Sequence, residues 1–203
     1  RKKCRFFRPL AVAPALVAAA PTTGDLALLQ AHLTATRTLT AAFTQTDRRG
    51  QVLSGQLTLK QPGKIRFQYA DGVPLLIVSD GKNLHFLDYQ VGQDSKWPIA
   101  NSPLAVFLDP GRNIARYTKL MPPGDPRIVS VQAWDKTRPE YGRINLVFTR
   151  NAGSPGGLQL SGWVALDAQG NRTTVRLTNQ RYNGPVSDEA FRWDGPRKRK
   201  PAR

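Results

Sequence analysis

The sequence predicts a mainly β fold, and two of its features carry this prediction. Short segments in which polar and apolar residues alternate follow one another along most of the chain, as in KIRFQY and RINLVFTR. Turn residues such as Pro62-Gly63 and Asp80-Gly81 separate these segments. Short strands that follow each other about every 10 residues are typical of a single antiparallel sheet, a sandwich or a barrel, and these three architectures stay open at this point.

The first predicted element is a helix from Asp25 to about Thr36. Leu26, Leu29 and Leu33 recur at helical spacing and form one apolar stripe. After this helix the apolar period changes to two, which predicts the first strand, and the RRGQ segment that follows predicts a hairpin turn.

The segment KIRFQY, residues 64–69, predicts a strand with one polar and one apolar face. Ile65, Phe67 and Tyr69 point to one side of the sheet, while the polar residues between them point to the other. The apolar face contacts either a packed core or an apolar ligand. Further strands are predicted from GQLTLK, LLIVS, NLHFLDY, RIVSVQAW, RINLVFTR, LQLSGWVAL and NRTTVRLTN.

One region in the middle of the chain departs from the strand pattern. In SPLAVFLD, residues 102–109, Pro103 stands where a helix can begin, and Leu104, Phe107 and Leu108 then share one face. A Pro-Gly pair ends this helix, and NIARYTKL predicts a second short one. The apolar faces of these helices are most simply covered by the concave side of the sheet. The helices then either fill a core or lie above a bound ligand.

The formal net charge of +16 is concentrated at the two ends of the chain. Five basic residues lie within residues 1–8 and five within residues 197–203, so the rest of the chain is only mildly basic. A sheet that binds nucleic acid carries basic and stacking aromatic side chains on the same face. KIRFQY places them on opposite faces, which disfavours nucleic acid as a partner.

Residues 1–19 have the pattern of a cleaved signal peptide. A basic segment, RKKCRFFR, precedes a short apolar run that ends in small residues, with Val17-Ala18-Ala19 as the best cleavage triplet. The alternative is a basic leader without a role in export. The run is too short to span a bilayer, and the single cysteine, Cys4, precedes it, which does not fit a lipid-modified N-terminus. We therefore expect an exported protein, periplasmic where there are two membranes, with no disulfide after cleavage.

Residues 20–195 are then expected to form one domain, followed by a basic tail at residues 196–203. The tail is rich in charge and contains two prolines, which predicts a solvated, disordered segment. Attraction to anionic headgroups or to nucleic acid is the alternative role for it.

Catalytic and metal-binding patterns are missing from the sequence. His32 and His85 lack ligand spacing, and there is no GxSxG nucleophile motif or phosphate-binding glycine loop. The adjacent Asp188 and Glu189 are expected to be solvated. We therefore predict a protein that is not an enzyme and needs no metal or cofactor.

Four segments in this order resemble the LolA family of periplasmic lipoprotein carriers: FTQTDRRGQVLSGQLTLKQPGKIRFQY, VSDGKNLHFLDYQ, NSPLAVFLD and VRLTNQRYNGPVSDEAFRW. The resemblance covers residues 25–193. It implies an incomplete, unclosed, curved antiparallel β-barrel with short helices that form a lid over an apolar cavity. It also implies that the protein works as a monomer, receives lipoprotein acyl chains from an inner-membrane ABC transporter of the LolCDE type, and passes them to an outer-membrane acceptor of the LolB type.

The resemblance assigns roles to named residues. Acyl chains are expected to contact Leu57, Leu59, Ile65, Phe67, Tyr69, Leu84, Phe86, Trp97 and Trp163, with Leu104, Phe107 and Leu108 on the lid side. Family members carry an arginine before the proline at the end of the second strand, where it holds the lid closed. Here that position is Gln61, which implies a weaker latch, or its replacement by another residue such as Arg66.

Two other functions remain open from the sequence. The first is a LolA-like carrier or sensor of a free lipid, which Gln61 and the basic tail motivate. The second is a cavity enzyme acting on lipids or acyl esters, which needs a nucleophile beside a base inside the cavity.

Overall fold

The fold is described from a computed structural model, in the following ranges: residues 23–102, 104–109, 111, 114–122, 124–135 and 139–196. The predicted signal peptide, residues 1–19, lies outside the described residues. So do residues 197–203, nearly the whole predicted tail. The predictions for both segments therefore stay predictions.

Eleven antiparallel strands form one sheet. They are β1 (Thr38–Thr46), β2 (Val52–Lys60), β3 (Lys64–Tyr69), β4 (Leu75–Ser79), β5 (Asn83–Asp88), β6 (Gln93–Pro98), β7 (Thr118–Met121), β8 (Ile128–Trp134), β9 (Arg143–Arg150), β10 (Leu158–Leu166) and β11 (Arg172–Tyr182). Their order across the sheet is β6-β5-β4-β3-β2-β1-β11-β10-β9-β8-β7. The chain thus forms two meanders, which β1 and β11 join.

The edges of this sheet are β6 and β7, and the sheet does not close between them. The predicted fold, an incomplete antiparallel barrel with short helices, is confirmed. In the described part of the chain, three α-helices accompany the sheet: α1 (Thr23–Ala35), α2 (Ala105–Leu108) and α3 (Ile114–Tyr117). None of the helices in the described part of the chain has the length and apolar character needed to cross a bilayer.

Two strands were missing from the sequence prediction, and one helix was too long. The segment NIARYTKL is helical only over α3, because residues 118–121 pair with β8 as strand β7. Strand β6 has almost no apolar alternation, since five of its six residues are exposed. An edge strand that is solvated on both faces carries little hydrophobic signal in its sequence.

Helix α1 packs on the inner face of the sheet as its leucine stripe predicts. Leu29 and Leu33 are completely buried there. Asp25, in the first turn, forms an ion pair with Arg150 of β9. His32 is also buried, with its ring edge-on to Phe148 and Tyr182 and its Nδ1 2.8 Å from the carbonyl oxygen of Pro155.

The two faces of the sheet carry two separate apolar clusters. The large cluster fills the inner, concave face between the strands and the helices. The small cluster lies on the outer face of β4 and β5, where Leu76, Val78 and Leu87 pack together and Trp193 covers them. The His85 ring also contacts Trp193, with 4.7 Å between ring centroids.

The segment after β11 crosses the outer face as a strap, which we define as residues 184–194. Arg66 of β3 donates hydrogen bonds to the carbonyl oxygens of Ala190 and Arg192 in this strap. Lys60 and Lys64 both contact the Asp188 carboxylate, at 2.8 and 2.9 Å, and their hydrogen bonds lower the pKa of Asp188 to about 2. Asp188 is therefore an ion-pair partner in the fold.

His32 gives the first testable prediction, because burial lowers its pKa from the ordinary value of 6.5. The unfolded chain takes up a proton at this residue before the folded one does as the pH falls. The free energy of unfolding should therefore decrease from about pH 7 towards pH 5, by up to about 1.4 kcal/mol per pH unit for one proton.

Urea unfolding at several pH values measures this decrease, with His32→Phe as the comparison. The phenylalanine keeps a ring between Phe148 and Tyr182 but cannot titrate, so its stability should depend less on pH over the same range. His85 is present in both proteins and cancels in the comparison. Equal pH slopes for the two proteins would contradict the assignment.

Candidate functional site

The inner face of β2 and β3 forms the centre of the candidate site. Leu57 lies opposite Phe67, and Leu59 lies opposite Ile65, in the register of the two strands. Tyr69 ends the same row. All five predicted residues are buried, so the apolar face that KIRFQY predicts is turned inward.

Phe43 of β1 joins these residues, and the sequence analysis did not name it. Its ring lies edge-on to Phe67 and Tyr69, with centroid distances of 5.4 and 5.3 Å. Phe67 in turn contacts Trp163 of β10, with 5.9 Å between ring centroids, which connects this group to the second half of the sheet. The period-two pattern of β1 already pointed to Phe43, because Phe43 shares one face of the strand with Leu39 and Ala41.

A glycine makes room for this aromatic group. Gly55 lies between Phe43 and Tyr69 in the sheet register. A Cβ atom at this position would lie 2.8 Å from the Phe43 ring and 2.1 Å from the carbonyl oxygen of Gln68. The two aromatic rings therefore meet above a strand position that has no side chain.

The structure places Leu84, Phe86 and Trp97 on the same face but nearer the edge of the sheet. Leu84 is half-buried and packs against the inner cluster. Phe86 is half-buried and lies in the same row across the sheet as Phe67, with Ile77 of β4 between them. Trp97, opposite Leu84 on the edge strand β6, is 43% exposed. Trp97 therefore stands apart from the buried cluster, and its predicted contact with acyl chains stays a prediction.

Helix α2 covers the inner face from the side predicted for the lid. Phe107 and Leu108 are buried, and Leu104 is half-buried at the N-terminal end of the helix. Ala105 and Val106 are buried as well, so α2 makes contacts all around rather than on one face only. Ile114, the first residue of α3, joins the same cluster. Helices, and not further strands, thus cover the open side of the apolar interior in this structure.

Two hydrogen bonds hold the end of α2 to the turn between β2 and β3. The side-chain nitrogen Nε2 of Gln61 donates to the carbonyl oxygen of Phe107 at 3.2 Å. The backbone N–H of Gly63 donates to the carbonyl oxygen of Leu108 at 2.9 Å. Arg66, the alternative latch, lies on the outer face and bonds the strap instead. Gln61 therefore occupies the position in which a latch is expected.

The interior suits apolar groups better than charged ones. The Tyr69 hydroxyl donates to Oε1 of Gln45 at 2.8 Å, and burial raises the pKa of Tyr69 to about 12. Burial likewise lowers the pKa of His32, which keeps this imidazole neutral. Within the described ranges, no three His, Cys, Asp or Glu side chains come together as a metal site.

A groove of about 330 Å³ runs beside α2. It lies between the helix, the turn after β2 and the turn after β4, and its residues are Pro62, Gly63, Gly81, Lys82, Ile99, Ala100, Ala105, Leu108 and Asp109. The groove lies where α2 meets the turns at this end of the sheet.

Comparison with known proteins agrees with this geometry. The family model described as outer membrane lipoprotein carrier protein LolA matches residues 34–194. The outer-membrane lipoprotein carrier protein of Chromobacterium violaceum is 28% identical over 200 residues, covering 93% of this chain and 94% of that one. The corresponding protein of Cupriavidus necator is 26% identical over 184 residues, with 83% of each chain covered.

A solved structure shows the same fold at low sequence similarity. The crystal structure of an uncharacterized conserved protein from Thermus thermophilus superposes with a TM-score of 0.50 and 11% identity, covering 85% of this chain and 95% of that one. The family model matches most of the chain. The protein belongs to the LolA family.

Proposed function

We propose that this protein is a periplasmic carrier of lipoproteins. It binds the acyl chains of lipoproteins released from the inner membrane and delivers them to an outer-membrane acceptor. Membership of the LolA family and the names of the two curated relatives support this role. The observation that supports it most is the apolar inner face of β2 and β3. A four-residue helix, α2, covers this face, and two hydrogen bonds hold the helix in place.

Burial of methylene groups supplies the driving force. Each buried methylene contributes about 0.8 kcal/mol, so a chain of about 16 carbons gains on the order of 10 kcal/mol when fully enclosed. In the closed structure, however, α2 already covers part of this surface. Acyl chains must displace Phe107 and Leu108, and the net gain is the difference between the two sets of contacts. This difference makes binding reversible, as delivery requires.

The partners follow from the direction of transport. An inner-membrane ABC transporter of the LolCDE type supplies the lipoprotein, and an outer-membrane acceptor of the LolB type receives it. The energy of release comes from the transporter, so the carrier itself needs no nucleotide, metal or catalytic group. We expect it to work as a monomer after cleavage of residues 1–19.

A carrier or sensor of a free lipid is the second candidate, and Gln61 favours it. The neutral amide gives a weaker hydrogen bond than a charged donor at the same place. A lid that is easily opened suits a ligand that arrives without the help of a transporter.

Phe67→Glu tests the proposed binding surface in a release assay. Spheroplasts retain a labelled lipoprotein in the inner membrane, and the carrier without residues 1–19 is added with and without ATP. The quantity measured is lipoprotein in the soluble fraction in complex with the carrier. The original sequence should release it only with ATP, whereas Phe67→Glu should release almost none, because a carboxylate beside Phe43 and Trp163 is costly to bury against an acyl chain.

Gln68→Glu is the matched control, because it introduces the same charge on the exposed face of the same strand. This variant should release lipoprotein as the original does. Release by a folded Phe67→Glu protein would contradict the site. No release by the original protein, while a fluorescent fatty acid still binds, would favour the free-lipid carrier.

Substitutions of Gln61 test the latch. Loss of a hydrogen bond that exists only in the closed state raises the fraction of open molecules, and apparent affinity rises with that fraction. Gln61→Ala should therefore bind a fluorescent fatty acid about 2- to 10-fold more tightly, from the usual net contribution of one hydrogen bond. Gln61→Arg, with a charged donor, should bind it more weakly.

Gln56→Ala is the control for this pair, since Gln56 is exposed on strand β2, which directly precedes Gln61. Its affinity for the fluorescent fatty acid should not change. If Gln61→Ala and Gln61→Arg shift the affinity in the same direction, Gln61 is not a latch.

A further inference from the structure

The two ends of the segment that contains α2 are anchored on neighbouring turns. The C-terminal end is held by the N–H of Gly63, in the turn between β2 and β3, which donates to Leu108. The N-terminal side is held by Ile99, whose N–H donates to the carbonyl oxygen of Lys82 at 2.9 Å, in the turn between β4 and β5. These two hydrogen bonds are the anchors of the segment that contains α2.

The two turns touch each other through their backbones. A Cβ atom on Gly63 would lie 2.6 Å from the carbonyl oxygen of Gly81 and 3.0 Å from its Cα. Gly63 also has a φ of +74°, in the left-handed region. Glycine is therefore required at position 63 for two independent reasons, and the close approach brings the two anchors side by side.

Ser79 joins the two turns with its side chain. Its hydroxyl is completely buried and donates to the carbonyl oxygen of Gly63 at 2.5 Å. The Ser79 hydroxyl oxygen, Oγ, also accepts a hydrogen bond from the backbone N–H of Gly81 at 3.0 Å. One side chain thus bonds the residue that holds Leu108 and the turn that holds Ile99.

We propose that Ser79 is a positioning residue that couples the two anchors of α2, so that they close and release together. Ser79 ends strand β4, and its hydroxyl bonds both turns, so it acts on the lid through Gly63 and Gly81. Its part in carrying cargo rests on the proposed function. Its part in holding the two anchors together does not, because the coupling belongs to the empty protein.

Hydrogen exchange of the empty full-length protein, followed by NMR, tests this coupling. The amides of Gly63 and Ile99 report the two anchors directly, and the Phe43 amide in the central strand β1 serves as the internal reference. In Ser79→Ala, the exchange rates of Gly63 and Ile99 relative to Phe43 should both rise by about tenfold, which corresponds to about 1.4 kcal/mol. Ser79→Cys, with a weak donor at the same place, should give a smaller rise at both amides.

Ser161→Ala is the matched control. It removes a hydroxyl in the other half of the sheet, one that is partly buried and whose oxygen lies 2.7 Å from that of Thr149. Its relative rates at Gly63 and Ile99 should stay unchanged. A general loss of stability would accelerate hydrogen exchange at the Phe43 amide as well. Dividing by the Phe43 rate therefore removes this effect from the comparison.

Three results would overturn the proposal. Unchanged ratios in Ser79→Ala would show that the hydroxyl does not hold the anchors, and a rise at Gly63 alone would show that the anchors are independent. An equal rise at both amides in Ser161→Ala would show that any lost hydroxyl has the same effect. None of these results bears on lipoprotein release, which the assay with spheroplasts measures separately.

Discussion

The structure depends on one constraint: an open, strongly apolar concave face must be covered by something other than strands. The sheet ends at β6 and β7 without closing, so its inner face cannot be buried by the sheet alone. Helix α1 covers the part near Phe148, and α2 covers the part beside the turn between β2 and β3. A closed barrel of the same strands would have a fixed interior, whereas helical covers can be exchanged for a ligand.

The two covers differ in strength, and this difference suits a carrier. Helix α1 has 13 residues, buries Leu29 and Leu33, and is tied to the sheet by the Asp25–Arg150 ion pair. Helix α2 has four residues, too few to be stable without its surroundings. Its position therefore depends on the buried side chains of Phe107 and Leu108 and on the bonds from Gln61 and Gly63. We infer that α2 is the element that moves when acyl chains enter.

The sequence predicted much of the fold because most strands carry a clear period of two. KIRFQY identified the apolar face, and Leu26, Leu29 and Leu33 identified α1. Strand β6 could not be predicted, because an exposed edge strand needs no apolar face. The cover of the outer face by Trp193 could not be predicted either, since it depends on contacts between residues more than 100 positions apart. The same holds for Ser79, whose role comes from two turns that meet only in the folded chain.

Locking α2 in place tests most directly whether acyl chains reach the inner face by displacing it. Cysteines at Lys82 and Asp109, exposed residues on the two sides of the groove, would be joined by a short reducible crosslinker in a Cys4→Ser background. The quantity to measure is binding of a fluorescent fatty acid before and after reduction. Our account predicts little binding in the locked protein and full recovery after reduction. Equal binding in both states would contradict it, since the acyl chain would then have a site that α2 does not cover.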